Sequence, residues 1–298
     1  MKYRVSHIVR VDYAEPIRMA HFNLRLHPVD WPGQTVTDYE LSVEPLPSRR
    51  EERSGAWPFN LTRIEIAQPI STLEIHSTFV ATVDDAQLDL HGEDPAIAEV
   101  ARLALGATDF GARSPVHYLY PSPLLPEVGA IAGWASPLLD PAAPCIATVL
   151  ALARRIQAEF KYDLEATEAD TPVDRAFAIR RGVCQDFAHI LIVALRAVGL
   201  PAAYMSGYLR TYPPPGQPRL VGADAMHAWV GLWAGPGRGW IGVDPTNGVL
   251  ASADHLVVGM GRDYADISPI DGIFVGGKTQ KTFNSVDVSP FDMVSAEG

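Results

Sequence analysis

The stretch Cys184–Val198 reads Cys-Gln-Asp-Phe-Ala-His-Ile-Leu-Ile-Val-Ala-Leu-Arg-Ala-Val, and it constrains the fold more than any other part of the chain. Phe187, Leu191, Ala194, Leu195 and Val198 recur at helical spacing, and the residues between them add little polar surface. A helix that is apolar around most of its circumference must be covered on more than one side. Gly199 and Pro201 end it, and Gly182 permits a tight entry. The expected fold is therefore layered around this helix, with Cys184 in its first turn. A helix N-terminus carries about half a positive charge and free N–H groups. Both favour a thiolate, and the same N–H groups can hold an oxyanion beside the sulfur. The other cysteine, Cys145, also opens a helical pattern but has no partner motif, so it is assigned to packing.

Downstream, Asp224–Trp233 contains His227 followed by alternating Ala228, Val230 and Leu232 on one face and Trp229 and Gly231 on the other. Gly235-Pro236-Gly237 is a turn signal, and a second strand pattern ends at Asp244-Pro245. The two segments predict a hairpin centred on 235–237, which sets His227 roughly opposite Asp244. Cross-strand Cβ atoms lie about 4.5–5.5 Å apart. A carboxylate there fixes the imidazole tautomer while the other ring nitrogen faces a thiol, the logic of an activated nucleophile.

Residues 1–84 read as short strands. Tyr3–Val11, Ile17–Leu26, Val36–Val43, Thr62–Ala67 and Leu73–Val83 have period two, and Pro- and Gly-bearing breaks separate them. Arg49–Arg53 reads as a charged loop. The expected architecture is α+β: an N-terminal antiparallel β-sandwich over 1–90, a helix (95–105) and Pro-rich linker over 91–140, and a helix-on-sheet domain over 141–298. Within the last, Ile146–Phe160 is a helix pattern, and a short helix starts after Thr171 with that residue as its cap. Tyr212–Pro218, between the Cys and His segments, is a candidate lid.

The 298 residues carry a net charge of −11, with no Lys/Arg cluster, so nucleic acid is not an expected partner. No secretory leader and no apolar run of membrane length is seen, which makes the cytoplasm the expected location. Two cysteines and scattered histidines show no metal-ligand spacing, so no metal or cofactor is expected.

Three blocks carry a resemblance: Arg181-Gly182-Val183-Cys184-Gln185-Asp186-Phe187-Ala188-His189, His227-Ala228-Trp229-Val230, and Gly242-Val243-Asp244-Pro245-Thr246-Asn247. In that order they resemble bacterial transglutaminase-like proteins, which include predicted cysteine proteases. The tail from Gly261 to Pro269 and the opening strands resemble the same family's C-terminal signature and N-terminal domain. The resemblance implies a papain-like/transglutaminase-core fold with Cys184 as nucleophile, His227 as base and acid, and Asp244 as orienter. It implies a peptide, protein or other amide-containing substrate cleaved through a thioester acyl-enzyme. Transfer of the acyl group to an amine is the first alternative, and an inactive interaction protein on the same fold is the second. Tyr162 is a candidate oxyanion donor. Gln185 and Asp186 are further candidates beside the nucleophile, while His189 and Asp263 read as structural. Trp229 and Tyr208, with Trp240, are candidates to line a substrate cleft.

Overall fold

Alternation at the N-terminus turns Tyr3, Val5, His7 and Val9 inward, and the strand this produces, β1 (Lys2–Leu24), is the spine of the first sheet. In the computed structural model, which describes residues 1–84, 94–212, 222, 224–277 and 279–291, β1 is one strand rather than two. The Ala14-Glu15-Pro16 break is a register shift within it. Strands β4 (Asn60–Ile66) and β5 (Ile70–Val83) lie end to end along one side of β1. Two strands from the far end of the chain, β13 (Ile270–Gly276) and β14 (Gln280–Pro290), do the same on its other side. Strand β2 (Gln34–Glu44) flanks β5, and β3 (Arg49–Ser54) flanks β4. The expected charged loop at Arg49–Arg53 is thus the edge strand β3. Its largely exposed residues and in-strand Arg50–Glu52 and Arg53–Glu51 pairs explain the missing apolar period, and charges suit an unpaired edge.

The α+β class holds, but the N-terminal sandwich is built differently from the expectation. Residues 1–84 contribute to a single seven-stranded sheet, and residues 270–290 belong to that sheet rather than to the second layer. One end of the sheet curls over its own core of Tyr13, Ile17, Leu24, Ile64, Ile66 and Ile75. The other end packs Tyr3, Val5, Phe79, Val286 and Val288 against Tyr208, Leu256 and Val258 of a second sheet. The sandwich therefore forms between the two sheets. Strands that alternate strictly offer only one apolar face, and that face needs a partner from elsewhere.

Between the sheets in sequence lie α1 (Ile97–Leu105), a 3₁₀ turn at Pro115–Tyr118, α2 (Gly129–Ala135) and α3 (Cys145–Glu159). Helix α2 escaped the sequence reading because Gly-Ala-Ile-Ala-Gly-Trp-Ala is short and glycine-bearing. Next come β6 (Lys161–Tyr162), α4 (Val173–Ile179) and β7 (Arg181–Gly182), with β6 and β7 paired in parallel. Thr171 does not cap α4; its hydroxyl accepts from the Glu168 N–H. Helix α5 (Cys184–Arg196) is the central element, buried without interruption from Asp186 to Leu195. It lies against the second sheet, made of β8 (Ala202–Leu209), β9 (Ala225–Trp233), β10 (Trp240–Asp244), β11 (Val249–Leu250) and β12 (His255–Gly261), in the order β11-β10-β9-β8-β12. Ala228, Val230 and Leu232 share the α5 core, while Trp229 joins Met205, Val257 and Met260 on the opposite side with Val29. No helix among the described residues is long and apolar enough to cross a membrane. The candidate lid falls on residues outside those described from 213 onward.

Candidate active site

Cys184 is the first residue of α5, half-buried, with a free thiol. The chain enters it through a narrow passage. Asp186 bends back so that its Oδ2 accepts from the Val183 N–H (2.8 Å) and the Thr167 hydroxyl (2.7 Å). Burial pushes the Asp186 carboxyl up from the usual range, and those two bonds oppose the shift. A Cβ on residue 182 would lie 2.8 Å from the Asp186 Cγ, which is why a glycine stands there.

His227 sits near the start of β9 and Asp244 at the end of β10. The hairpin register pairs Val243 with Val230, which is two residues displaced from a pairing of His227 with Asp244. Asp244 therefore continues opposite Trp229 and reaches His227 diagonally. His227 Nε2 is 2.8 Å from Asp244 Oδ2. Cys184 lies close enough to act on the ring's pKa, and with Nε2 turned to Asp244 the nitrogen left for it is Nδ1. Burial alone would lower the His227 pKa; the bonds to Asp244 and Cys184, with their charges, outweigh it and raise it to about 9.

Asp244 is fully buried and saturated with donors. Oδ2 accepts from His227, from Asn247 Nδ2 (2.6 Å) and from His255 Nε2 (3.2 Å). Oδ1 accepts from the backbone N–H groups of Thr246 (2.9 Å) and Asn247 (3.2 Å). Burial pushes this carboxyl up, but the His227 and His255 bonds dominate and hold it well below the usual carboxylate range. A buried carboxylate persists only when its lone pairs are met in this way.

The bacterial transglutaminase-like N-terminal region model matches residues 3–82, and the transglutaminase-like superfamily core model matches residues 133–245. A functionally uncharacterised protein of Mycobacterium tuberculosis is 36% identical over 298 residues, covering 98% of this chain and 93% of its own. The chain belongs to the transglutaminase-like superfamily. A protein-glutamine gamma-glutamyltransferase of Pseudomonas aeruginosa shares 41% identity over 104 residues, which is 34% of this chain and 15% of that protein. Among solved structures, a candidate cysteine protease of Cytophaga hutchinsonii superposes with a TM-score of 0.75 at 20% identity, covering 98% of this chain and 91% of the other. That likeness shows the fold.

Other residues singled out in this transglutaminase-like sequence fall in distinct places. Tyr162 is half exposed on β6 with its ring against Phe187; burial and then the Cys184 charge raise its hydroxyl pKa. Gln185 turns away, its Nε2 donating to the Ala169 carbonyl (2.8 Å). Asp186 is the brace described above. His189 is buried, pushed down to about 4 by that burial, and accepts from the Tyr264 N–H (3.3 Å). Asp263 caps the short helix α6 (Tyr264–Ile267). Tyr208 is buried, its hydroxyl 3.0 Å from His7 Nδ1, and Trp229 is 1% exposed against His227 and His255. Tyr208 is a core support, while Trp229 and Trp240 border a cavity of about 690 Å³ between the two sheets. Burial pushes Cys145 up to about 12, and it has no exposed surface.

The sequence reading missed His255, Tyr204 and Tyr264. Burial raises both tyrosines, and the Cys184 charge adds to each shift, so both lie within its electrostatic reach. No local motif marks Tyr204 on β8, and Tyr264 of α6 falls within the Gly261–Pro269 tail but was given no role. His227, Asp244 and His255 bring ligand-type atoms within 4.8 Å of one another, the spacing of a metal site. His255 Nδ1 accepts from the Ser252 N–H (3.1 Å). The neutral ring then carries its proton on Nε2, directed at Asp244, and has no lone pair there for a metal. This geometry suits a hydrogen-bonded relay rather than a metal centre.

Proposed function

We propose that this chain is a cysteine-dependent hydrolase of amide bonds, in a peptide or isopeptide linkage, working through a thioester acyl-enzyme. The observation that carries the reading is the 2.8 Å bond from His227 to a dry, donor-saturated Asp244, with Cys184 at the start of α5 near enough to help raise the imidazole to about 9. Such an imidazole holds a proton at neutral pH beside the thiolate it has relieved. The thiolate attacks the substrate carbonyl carbon, and the oxygen becomes an oxyanion. The Cys184 backbone N–H at the start of α5 faces that charge, and the Tyr162 hydroxyl is the second donor. His227 Nδ1–H then protonates the departing amine, leaving the acyl group on sulfur. His227, now neutral, takes a proton from water as that water attacks the thioester, and Cys184 is released with the acid.

A second reading replaces the water with an amine. The Pseudomonas relative, a gamma-glutamyltransferase by name, favours it. Both readings share every step through the acyl-enzyme, so one experiment separates them. A casein substrate is incubated with and without a fluorescent primary amine. Hydrolysis gives new carboxyl groups or new N-termini with no incorporated label. Label incorporation with no hydrolysis product overturns the hydrolase. The shared first step is tested by iodoacetamide and mass spectrometry: Cys184 should alkylate far faster than Cys145 at pH 7, and His227→Ala should slow Cys184 to the rate of an ordinary thiol. Equal rates in wild type and His227→Ala would defeat both readings.

A further inference from the structure

His255 belongs to no motif, yet it is the most constrained histidine near the site. It opens β12 and is 6% exposed. The turn before it closes on both sides: the His255 N–H donates to the Ser252 carbonyl (3.0 Å), and the Ser252 N–H donates to His255 Nδ1 (3.1 Å). The ring edge meets Trp229 at 5.3 Å between centroids. Ring position and tautomer are therefore both set before Asp244 is considered, and the single ring proton points at Asp244 Oδ2.

Behind this imidazole lies a cavity of about 690 Å³ between the two sheets, lined by Trp31, Gln34, Trp240, Leu250, Ser252 and His255 among others. Asp244 has no exposure, although His255, one of its partners, borders that cavity.

We propose that His255 is a positioning residue for the Cys184–His227–Asp244 set, donating a tautomer-fixed N–H to Asp244 and closing the carboxylate off from the cavity behind the sheet. The proposal rests on the catalytic reading above. The His227–Asp244 attraction depends on a dry carboxylate, because water screens charges about fourfold more strongly than a partly buried setting. Once His255 is cut back, water from the cavity reaches Oδ2, and the imidazolium of His227 is stabilised less. The titratable groups facing His227 are Asp244 on β10, His255 on β12 and Cys184 on α5.

The test needs no substrate. Ring-nitrogen NMR of protein carrying ¹⁵N-histidine follows the His227 titration, with the signal assigned by its loss in His227→Ala. Wild type should titrate near 9. His255→Ala should move the midpoint down towards the ordinary 6.5 and slow Cys184 alkylation at pH 7 by about tenfold, the scale of one lost hydrogen bond to a charge. His255→Gln keeps both bulk and an N–H donor and should stay close to wild type. Buried Cys145 reports folding, since it alkylates only when the core opens. If His255→Ala exposes Cys145, His255→Met and His255→Gln decide: similar bulk, with a donor only in the second.

A His227 midpoint unchanged in the Ala or Met variant overturns the proposal, as does a Gln variant impaired as much as Met. Where His227→Ala slows Cys184 and the His255 variants do not, only the role of His255 falls. Where His227→Ala leaves Cys184 unaffected, the catalytic reading falls and takes this proposal with it.

Discussion

Asp244→Asn isolates what the carboxylate does. His227 is raised from 6.5 to about 9 against an opposing effect of burial. That difference corresponds to roughly 3 kcal/mol of preference for the charged ring. It rests on Asp244 and Cys184 together, and the Asn side chain is neutral. The amide oxygen settles on the Thr246 and Asn247 N–H groups, which directs its NH₂ at His227 and His255. His227 answers by moving its proton to Nδ1, which removes the lone pair that the thiol needs. His255 has no such escape, because Ser252 holds its Nδ1. Cys184 alkylation at pH 7 should fall by about 10² if most of the roughly 3 kcal/mol is lost. Stability should fall by about 1–3 kcal/mol from the donor left facing a donor. The acid side should also change. A carboxyl held low when folded adds stability above its unfolded value, and that stability disappears as pH falls. The Asn variant should therefore lose less stability on acidification than wild type. The assay is iodoacetamide labelling with Cys145 as reference, beside urea denaturation at about pH 5 and about pH 3, either side of the unfolded carboxyl value of about 3.9. Wild-type alkylation of Cys184 in a folded Asp244→Asn protein would refute the reasoning.

Three further outcomes follow from the packing. Gly182→Ala forces Asp186 off the Val183 N–H or the Thr167 hydroxyl, so urea denaturation should show a loss of about 2 kcal/mol together with slower Cys184 labelling. His7 and His189 are both lowered from 6.5 to about 4, chiefly by burial. The unfolded chain then binds protons first, and each histidine should cost roughly 3 kcal/mol as pH falls from 6.5 to 4; His189→Phe should flatten that part of the urea-midpoint profile. A chain ending at residue 268 lacks the strands that bury Val286 and Val288 beside Tyr3 and Val5, each Val being worth about 1.5–3 kcal/mol. It should show no cooperative thermal transition by circular dichroism, and a sharp transition near the wild-type midpoint would show that β13 and β14 are dispensable.

The parts of the fold legible in the sequence were those with an unmixed local signal. Helix α5 announced itself because its apolar residues exceed any single face. The hairpin announced itself because alternation broke at Gly235-Pro236-Gly237. Its register came out two residues away, since turn residues locate a loop without stating how many of them are paired. The nearness of His227 and Asp244 survived that error because diagonal neighbours across strands still lie within side-chain reach. β3 was hidden by charge, and α2 by glycine and brevity. The C-terminal strands were hidden by sequence distance, as nothing local in 270–290 says that its partner is β1. His255 was hidden although it is only 11 residues from Asp244, because it stands in no motif. It reaches Asp244 only because β12 pairs with β8 across the sheet from β10.

The first sheet has no residue in the Cys184–His227–Asp244 contact, yet it shapes the chemistry there. β12 is fastened to it by Gln34, which donates to the Val257 carbonyl (2.8 Å) and accepts from the Val257 N–H (2.8 Å), two residues past His255. Val29 lies with Met205, Trp229, Val257 and Met260 on the face that α5 leaves uncovered. With that face open, Trp229 and His255 would border solvent, and the charge on Asp244 would be screened like any surface carboxylate. On the proposed reading, the two matched regions, 3–82 and 133–245, work together: the core supplies the reacting groups, and the N-terminal layer covers the sheet face behind the group that orients them.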